Sequence, residues 1–514
     1  MFYVPLYIEA MRSRPVLVFW LATLAQATLW ILVPMLFYAA PPGALAQVLA
    51  IGHEFPLSGD AGPPLAYWIA ELAFRLGGLF GVYALSQLCV IATYWCVFAL
   101  GRAIVGATHA VIAVLLMVGI SVFTVPTPDF GPPILTMALW AAALLFYWRA
   151  VIEGQRRSWY ALGVAAALIL LASSAALILL GLLVVFTAVS ERARVAALGA
   201  IEPRIVAAAL VPVLAVHLFW LVGASDSASF TLRHLRMASA GEGNAAAWLR
   251  LLLVLLLAHA GLAILTVLAS GRPRFYASPS PAIPRAPVDR FAATFVKVFA
   301  LAPALLGISF AVLAGRPLPI ASAAPLLLLS GLAIVIAAGD SFALYHQRIL
   351  GFAWAGLLIV PAIFVPVVLV VLPWTVGTDL KVAQPAAAMG RFFADSFKRR
   401  TGQPLAVVSG DTQTATLVAL AAPSRPSVYF DADPARAPKV TAQELRERGA
   451  VVVWPAAANG DPAPPPEITA HFPGLVAEVP QTFERQVRGR LPPLRIGWGM
   501  IRPANTPPTA ASLR

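Results

Sequence analysis

Three stretches of this chain bring together residue types that can do chemistry. The first is APPGALAQVLAIGHEFPLSGDAGPPLAYWIAELAFRLGG, residues 40–78, where His53, Glu54 and Asp60 fall within eight residues just ahead of Pro63 and Pro64. A Pro-Pro pair fixes the chain's entry into a helix, and a carboxylate beside such a turn suits a catalytic base or a metal ligand. Solvated loop residues are the plainer alternative. The second stretch is TVPTPDFGPPILTMALW, where Asp129 stands among Pro126, Pro128, Pro132 and Pro133. Those prolines keep the loop extended or turned and would present the carboxylate in one direction; otherwise Asp129 only starts the helix that follows. The third is SDSASFTLRHLRMASAGEGNAAAW, with Arg233, His234 and Arg236 set among Phe230, Leu232, Leu235 and Met237. Cations in that setting can hold a phosphate, or can lie on an amphipathic helix against anionic head groups.

No HExxH or CxxC spacing and no glycine-rich phosphate loop occurs in the sequence, so no metal centre is expected. A divalent cation held by Asp60 or Asp129 stays open as the one cofactor these carboxylates could take. Cys89 and Cys96 fall in one apolar run at helical i, i+7 spacing and read as free thiols among apolar neighbours.

The elements that must position these residues are membrane helices. Of the 514 residues 60% are hydrophobic and only 11% charged, whereas a soluble domain is roughly a quarter charged. The apolar residues come in runs of about 20, the length that crosses a hydrocarbon core of about 30 Å. A net charge of +13 raises the question of nucleic acid, but the basic residues are mostly arginines scattered singly in short loops. That pattern sets topology and does not make a nucleic-acid patch.

Runs at about 15–38, 82–101, 107–125, 133–150, 159–173, 175–190, 205–223, 247–270, 291–313, 318–338 and 350–373 predict about eleven transmembrane helices. Arg12 and Arg14 precede the first run, which reads as a retained anchor and places the N-terminus in the cytoplasm. The least secure boundary lies at Ser173 and Ser174, where two short helices compete with one long segment. Between the first two runs, LAYWIAELAFRLGG carries Glu71 and Arg75 at i, i+4 and reads as an outer interfacial helix. Composition changes after residue 374. The runs LAVVSGD, PSVYFD and GAVVVWP alternate with polar helical stretches such as TAQELRERG, which predicts a small periplasmic α/β domain over 375–514 with a parallel sheet and a disordered end. The division is therefore a transmembrane domain over 1–374 and a soluble domain over 375–514.

The long first helix, the outer loop with acids, and PPLAYW with Tyr67 together resemble the PPL-x-YW region of membrane glycosyltransferases of the GT-C type. These are family 39-like enzymes related to the protein O-mannosyltransferases and the lipid A aminoarabinose transferase, and the resemblance is nearest to their alpha-proteobacterial branch. It covers the architecture of about residues 15–375, with its sharp motif in about 51–80.

The resemblance implies a bacterial inner-membrane enzyme whose donor is a sugar on polyprenyl phosphate and whose acceptor is a lipid, a glycan or a protein. An acid deprotonates the acceptor hydroxyl with inversion at the anomeric centre, and cations or dipoles stabilise the leaving phosphate. On that expectation Asp129, Asp60 and Glu54 are the candidate catalytic acids, and His53, Tyr67, Arg233, His234 and Arg236 bind substrate. Two departures stand against it. The family's acidic pair falls where this chain reads PPGALAQ, and its basic residue before PPL is replaced by Gly62. A catalytically silent binder of the lipid carrier is therefore the second reading. A transporter or flippase is the third, although it calls for midplane charges, broken helices and repeated halves that the sequence does not clearly show.

Overall fold

The structure, a computed structural model, describes residues 9, 11–56, 62–173, 175–223, 243–269, 283–313, 320–339, 341–342, 347–430, 440–456, 463–473 and 475–504. Among these, six helices are long and apolar enough to cross a membrane: Pro15–Phe37, Leu65–Val105, Pro132–Val151, Glu202–Phe219, Arg290–Ser309 and Ile349–Thr375. The number rises to eight if two bent pairs each make one span: Ala176–Val189 with Glu191–Gly199, and Leu252–Ala258 with Ala260–Ala269.

Several of the eleven apolar runs of the sequence do not fold as one straight helix. The run at 107–125 stops as a helix at Met117 and turns through the short 3-10 segment Ser121–Phe123. There Gly119 meets another backbone: its carbonyl accepts from Leu262 N–H at 2.9 Å, and a Cβ would sit 2.6 Å from that nitrogen. The run at 318–338 divides into a 3-10 segment, Ile320–Leu327, with Pro325 inside, and the helix Ser330–Ala337. At Ser173 the chain breaks between the helices Arg156–Ala172 and Ala176–Val189.

Contacts divide the chain into two compact units, Met1–Leu32 with Tyr83–Ile363, and Val33–Val82 with Phe364–Arg514. Among its described residues the first unit is helical apart from one antiparallel pair, β1 (Ile283–Pro284) and β2 (Ser341–Phe342). Its core includes Phe98, Phe123, Trp140, Phe295 and Phe299, all nearly without solvent exposure. The second unit joins residues 33–82, grouped by sequence with the transmembrane part, to the C-terminal domain.

That domain is built on a five-stranded sheet of order β4-β3-β5-β7-β6: β3 (Val407–Gly410), β4 (Ser427–Phe430), β5 (Ala450–Pro455), β6 (Ala477–Phe483) and β7 (Leu494–Ile501). The strands foreseen as apolar runs, β3, β4 and β5, pair in parallel, but β7 runs antiparallel to both β5 and β6. The expectation of a parallel sheet is thus corrected to a mixed one. The two added strands give a weak signal: β6 carries Pro480 and a bulge between Glu478 and Gln481, and β7 carries Gly497 and Gly499.

The helices Ala386–Thr401 and Thr412–Ala421 cover the sheet through Phe393, Phe397, Ala415 and Val418, and Ala50 of the helix Leu45–His53 joins the same core. Apolar contacts of Ala50 and Ile51 with this core, and of Ala46 with Ala386 and Leu417, tie the 45–53 helix to the C-terminal domain.

Candidate functional site

The helix Leu65–Val105 is 41 residues long, about 60 Å at 1.5 Å per residue, twice what a bilayer core needs. It breaks at Gly77 and Gly78, where Gly78 takes φ 58°. The residues from 79 to Val105 are by themselves long enough for a crossing, so none is needed from the turns before the break, which carry Tyr67, Glu71, Phe74 and Arg75. These turns pack against the helix Leu45–His53 at Gly52, where any side chain would collide: a Cβ would lie 2.4 Å from the Tyr67 carbonyl oxygen and 3.2 Å from Glu71 Cβ. Glycine lets these helices approach closely enough for His53, one residue on, to reach Glu71.

Glu71 is the centre of the arrangement. Its side chain is 2% exposed, and burial of a carboxylate that deep requires partners. Oε1 accepts from Arg75 Nε at 2.9 Å and lies 3.2 Å from His53 Nδ1, and Oε2 accepts from Arg425 Nη2 at 2.8 Å. Each guanidinium also faces an aromatic ring, Arg75 over Phe55 at 4.9 Å and Arg425 over Phe74 at 4.3 Å. Phe55 and Arg425 both hold left-handed backbones, at φ 45° and 48°, a conformation that costs about 1–3 kcal/mol at a non-glycine residue.

Burial by itself raises the Glu71 pKa, but the bonds from His53 and Arg75 and the charge of Arg425 outweigh it and bring the carboxyl below its ordinary value. Burial also lowers Arg425, with the Glu71 charge acting the other way, yet an arginine keeps its proton at any pH the protein survives. A carboxylate held low and bonded at both oxygens is a poor proton acceptor. What it does well is fix two guanidiniums and an imidazole around one point, and that array suits an anion.

A cavity of about 310 Å³ lies elsewhere in the same unit. One wall is the stretch from Pro41 to Gln47, and the other is Lys381 with Asp411, Thr412, Gln413 and Thr416. The resemblance implied an acid in that first wall, and the cavity's carboxylate comes instead from Asp411. Asp411 caps the helix Thr412–Ala421: Oδ2 accepts from Thr414 N–H at 2.9 Å and from the Thr414 hydroxyl at 2.7 Å.

Asp129 sits in the first unit, half-buried, on a loop that the neighbouring helices hold in place. Its N–H donates to the Pro126 carbonyl at 3.1 Å. Gln87 Nε2 donates to Thr127 Oγ1 at 3.0 Å, the Ser86 hydroxyl donates to the Thr127 carbonyl, and Gln26 Nε2 donates to the Phe123 carbonyl at 2.6 Å. Glu54 follows the end of the helix Leu45–His53. Asp60, Arg233, His234 and Arg236 lie outside the described residues. Among the described residues no three His, Cys, Asp or Glu side chains gather as a metal site, and His217 and His259 bond backbone carbonyls at 2.7 and 2.8 Å.

Of the residues singled out in the sequence, the structure brings together His53 and the Tyr67 turn. Sequence reasoning missed Glu71 as a centre, and missed Arg425, Lys381 and Asp411 entirely. The Glu71–Arg75 spacing was visible, but a basic residue 354 positions away gives no local signal.

Residues 61–220 match the family described as dolichyl-phosphate-mannose-protein mannosyltransferase, a stretch that includes Tyr67, Glu71, Arg75 and Asp129. Among solved structures, ArnT from Cupriavidus metallidurans bound to undecaprenyl phosphate aligns with a TM-score of 0.60 at 13% identity, over 96% of this chain and 99% of that one. The chain has the GT-C fold. The apo form of the same ArnT aligns at a TM-score of 0.47 and 12% identity, over the same shares of both chains. No curated protein matches in sequence. At 96% coverage the part of the chain that aligns to a GT-C protein takes in residues of both units.

Proposed function

We propose that this protein is an inner-membrane glycosyltransferase that moves a sugar from a polyprenyl-phosphate-linked donor to an acceptor at the periplasmic face, inverting the anomeric centre. The observation that carries this reading is the buried Glu71 with Arg75, Arg425 and His53 fixed around it. Transfer from such a donor releases a phosphate oxyanion, and preorganised cations stabilise the charge as it develops. Arg75 is 54% exposed and keeps N–H donors beyond the Nε that Glu71 takes, so it is the member of the array best able to meet the phosphate. The GT-C fold, and the undecaprenyl phosphate held by the ArnT that shares it, support a polyprenyl carrier.

In this reading Asp129, Asp60 and Glu54 are the candidates for the group that takes the acceptor proton. His53, Tyr67, Arg233, His234 and Arg236 contact the donor. The N-terminus is cytoplasmic and the C-terminal domain periplasmic, as the arginines of the short loops indicate.

Membranes carrying wild type and the Asp129→Asn and Asp60→Asn variants test it, with polyprenyl-phosphate sugars labelled in the sugar. The expected result is release of polyprenyl phosphate with transfer of label, lost in one variant that still inserts normally. A second reading, a silent homologue that binds the carrier, is favoured by the lack of any acid from Pro41 to Gln47. Donor that binds but is never consumed would make that second reading the correct one.

A further inference from the structure

The cavity between Pro41–Gln47 and the start of the helix Thr412–Ala421 is separate from the Glu71 array, and its lining has a definite chemical character. Gln47 and Gln413 offer amides, Thr412 and Thr416 hydroxyls, Asp411 a carboxylate and Lys381 an ammonium group, while Gly43, Ala44 and Ala46 keep the opposite wall low. Asp411 is oriented by its cap: both bonds from Thr414 go to Oδ2, and among the described residues Oδ1 makes no hydrogen bond. Gln413 is steadied in turn by Gln384, Nε2 to Oε1 at 3.5 Å. At about 310 Å³ the space lies at the small end of the roughly 300–1,000 Å³ of ligand pockets, room for one sugar ring and not for a folded peptide segment.

An acyl chain or an apolar peptide side chain would want apolar walls throughout, whereas about half of this lining carries polar side chains, and Pro41, Leu417 and the alanines are left to meet the C–H faces of a ring. A ring of hydroxyls matches it, because each hydroxyl both donates and accepts. We propose that this cavity seats a sugar residue of the acceptor, so that the acceptor class is a glycan, with Asp411 Oδ1, Gln47, Gln413 and Lys381 holding its hydroxyls. This rests on the transferase reading and narrows it.

Two measurements on the full-length protein in detergent test the cavity. Saturation-transfer NMR with the methyl glycosides of mannose, galactose and N-acetylglucosamine reads binding directly, and the KM for a glycan acceptor in the transfer assay reads its use. Asp411→Ser keeps a capping oxygen for Thr414 but removes the free one, and Gln47→Leu alters the other wall without touching the cap. Saturation transfer to at least one glycoside in wild type is expected, with loss of that signal and a rise of tenfold or more in acceptor KM in both variants while the donor KM stays unchanged. Wild type that transfers sugar but gives no signal with any glycoside, or variants with unaltered acceptor KM, would overturn the proposal. If no donor is consumed at all the transferase reading fails, and the NMR signal and its loss in both variants then decide the cavity alone.

Discussion

Arg425 Nη2 donates to Glu71 Oε2 at 2.8 Å across 354 residues of sequence, so a loop of the C-terminal domain supplies one of the three partners of a carboxylate that stands ahead of the break at Gly77 and Gly78. Taking Glu71 away leaves Arg425, only 19% exposed, without its counter-charge, and breaking a buried pair costs about 3–5 kcal/mol. Glu71→Ala is therefore expected to lower the melting temperature of the purified protein markedly. Arg75→Ala, at a side chain 54% exposed, removes a contact worth no more than about 1 kcal/mol and should leave melting almost unchanged while weakening donor binding. Equal melting losses in the two variants would show that Glu71 is not the centre of the array.

The same array sets a pH dependence. Glu71 has an ordinary value of 4.5 and is lowered in the fold, so the unfolded chain binds its proton more readily than the folded one. Its contribution to stability is complete above about pH 4.5 and is lost as pH falls through the lower folded-state value. Melting followed from pH 7 to pH 3 should show a loss at the acid end that is smaller in Glu71→Gln, because glutamine cannot titrate. An identical acid slope in both proteins would mean that other carboxylates dominate.

Gly52→Ala tests the close packing of the two helices that bring His53 to Glu71. The added Cβ would lie 2.4 Å from the Tyr67 carbonyl, so the helices must separate, at about 1–3 kcal/mol for overpacking of this kind. Loss of stability together with weaker retention of polyprenyl phosphate is expected. Loss of stability alone would detach the His53 contact from donor binding.

How much of this was legible in the sequence depends on distance along the chain. Pro63–Pro64, the i, i+4 spacing of Glu71 and Arg75, and the arginines between apolar runs are local signals, and they announced the membrane class and the helix that carries Glu71. The break at Gly77 and Gly78 was visible as two glycines, though its consequence, that the turns before it pack with the C-terminal domain, was not. Ala50 looks like any alanine in an apolar run until Phe393 and Val418 are found in the same core. Arg425 and Asp411 lie in polar stretches of the domain with nothing to mark them, because the partners that give them meaning arrive only through the fold. The antiparallel strands escaped notice for a different reason, since proline and glycine weaken the alternation that identifies a strand.

Asp129 has the sharpest choice of outcomes. Its loop is pinned from two sides, by Gln87 and Ser86 on Thr127 and by Gln26 on the Phe123 carbonyl, and a backbone held that firmly presents a carboxylate in one direction. If Asp129 takes the acceptor proton, Asp129→Asn removes a term worth about 10²–10⁴ in rate, and kcat should fall by that much with donor binding intact. If it is only a residue of the loop ahead of Gly131, the N-cap of the helix Pro132–Val151, the near-isosteric asparagine serves as well as aspartate and kcat should hold. Gln87→Leu provides the control. It keeps the carboxylate but removes the 3.0 Å bond to Thr127, and a loop released in this way should lose part of its kcat only where Asp129 acts in the transfer. A fall in Gln87→Leu with none in Asp129→Asn would assign the loop a structural part and return the search for the proton acceptor to Asp60 and Glu54.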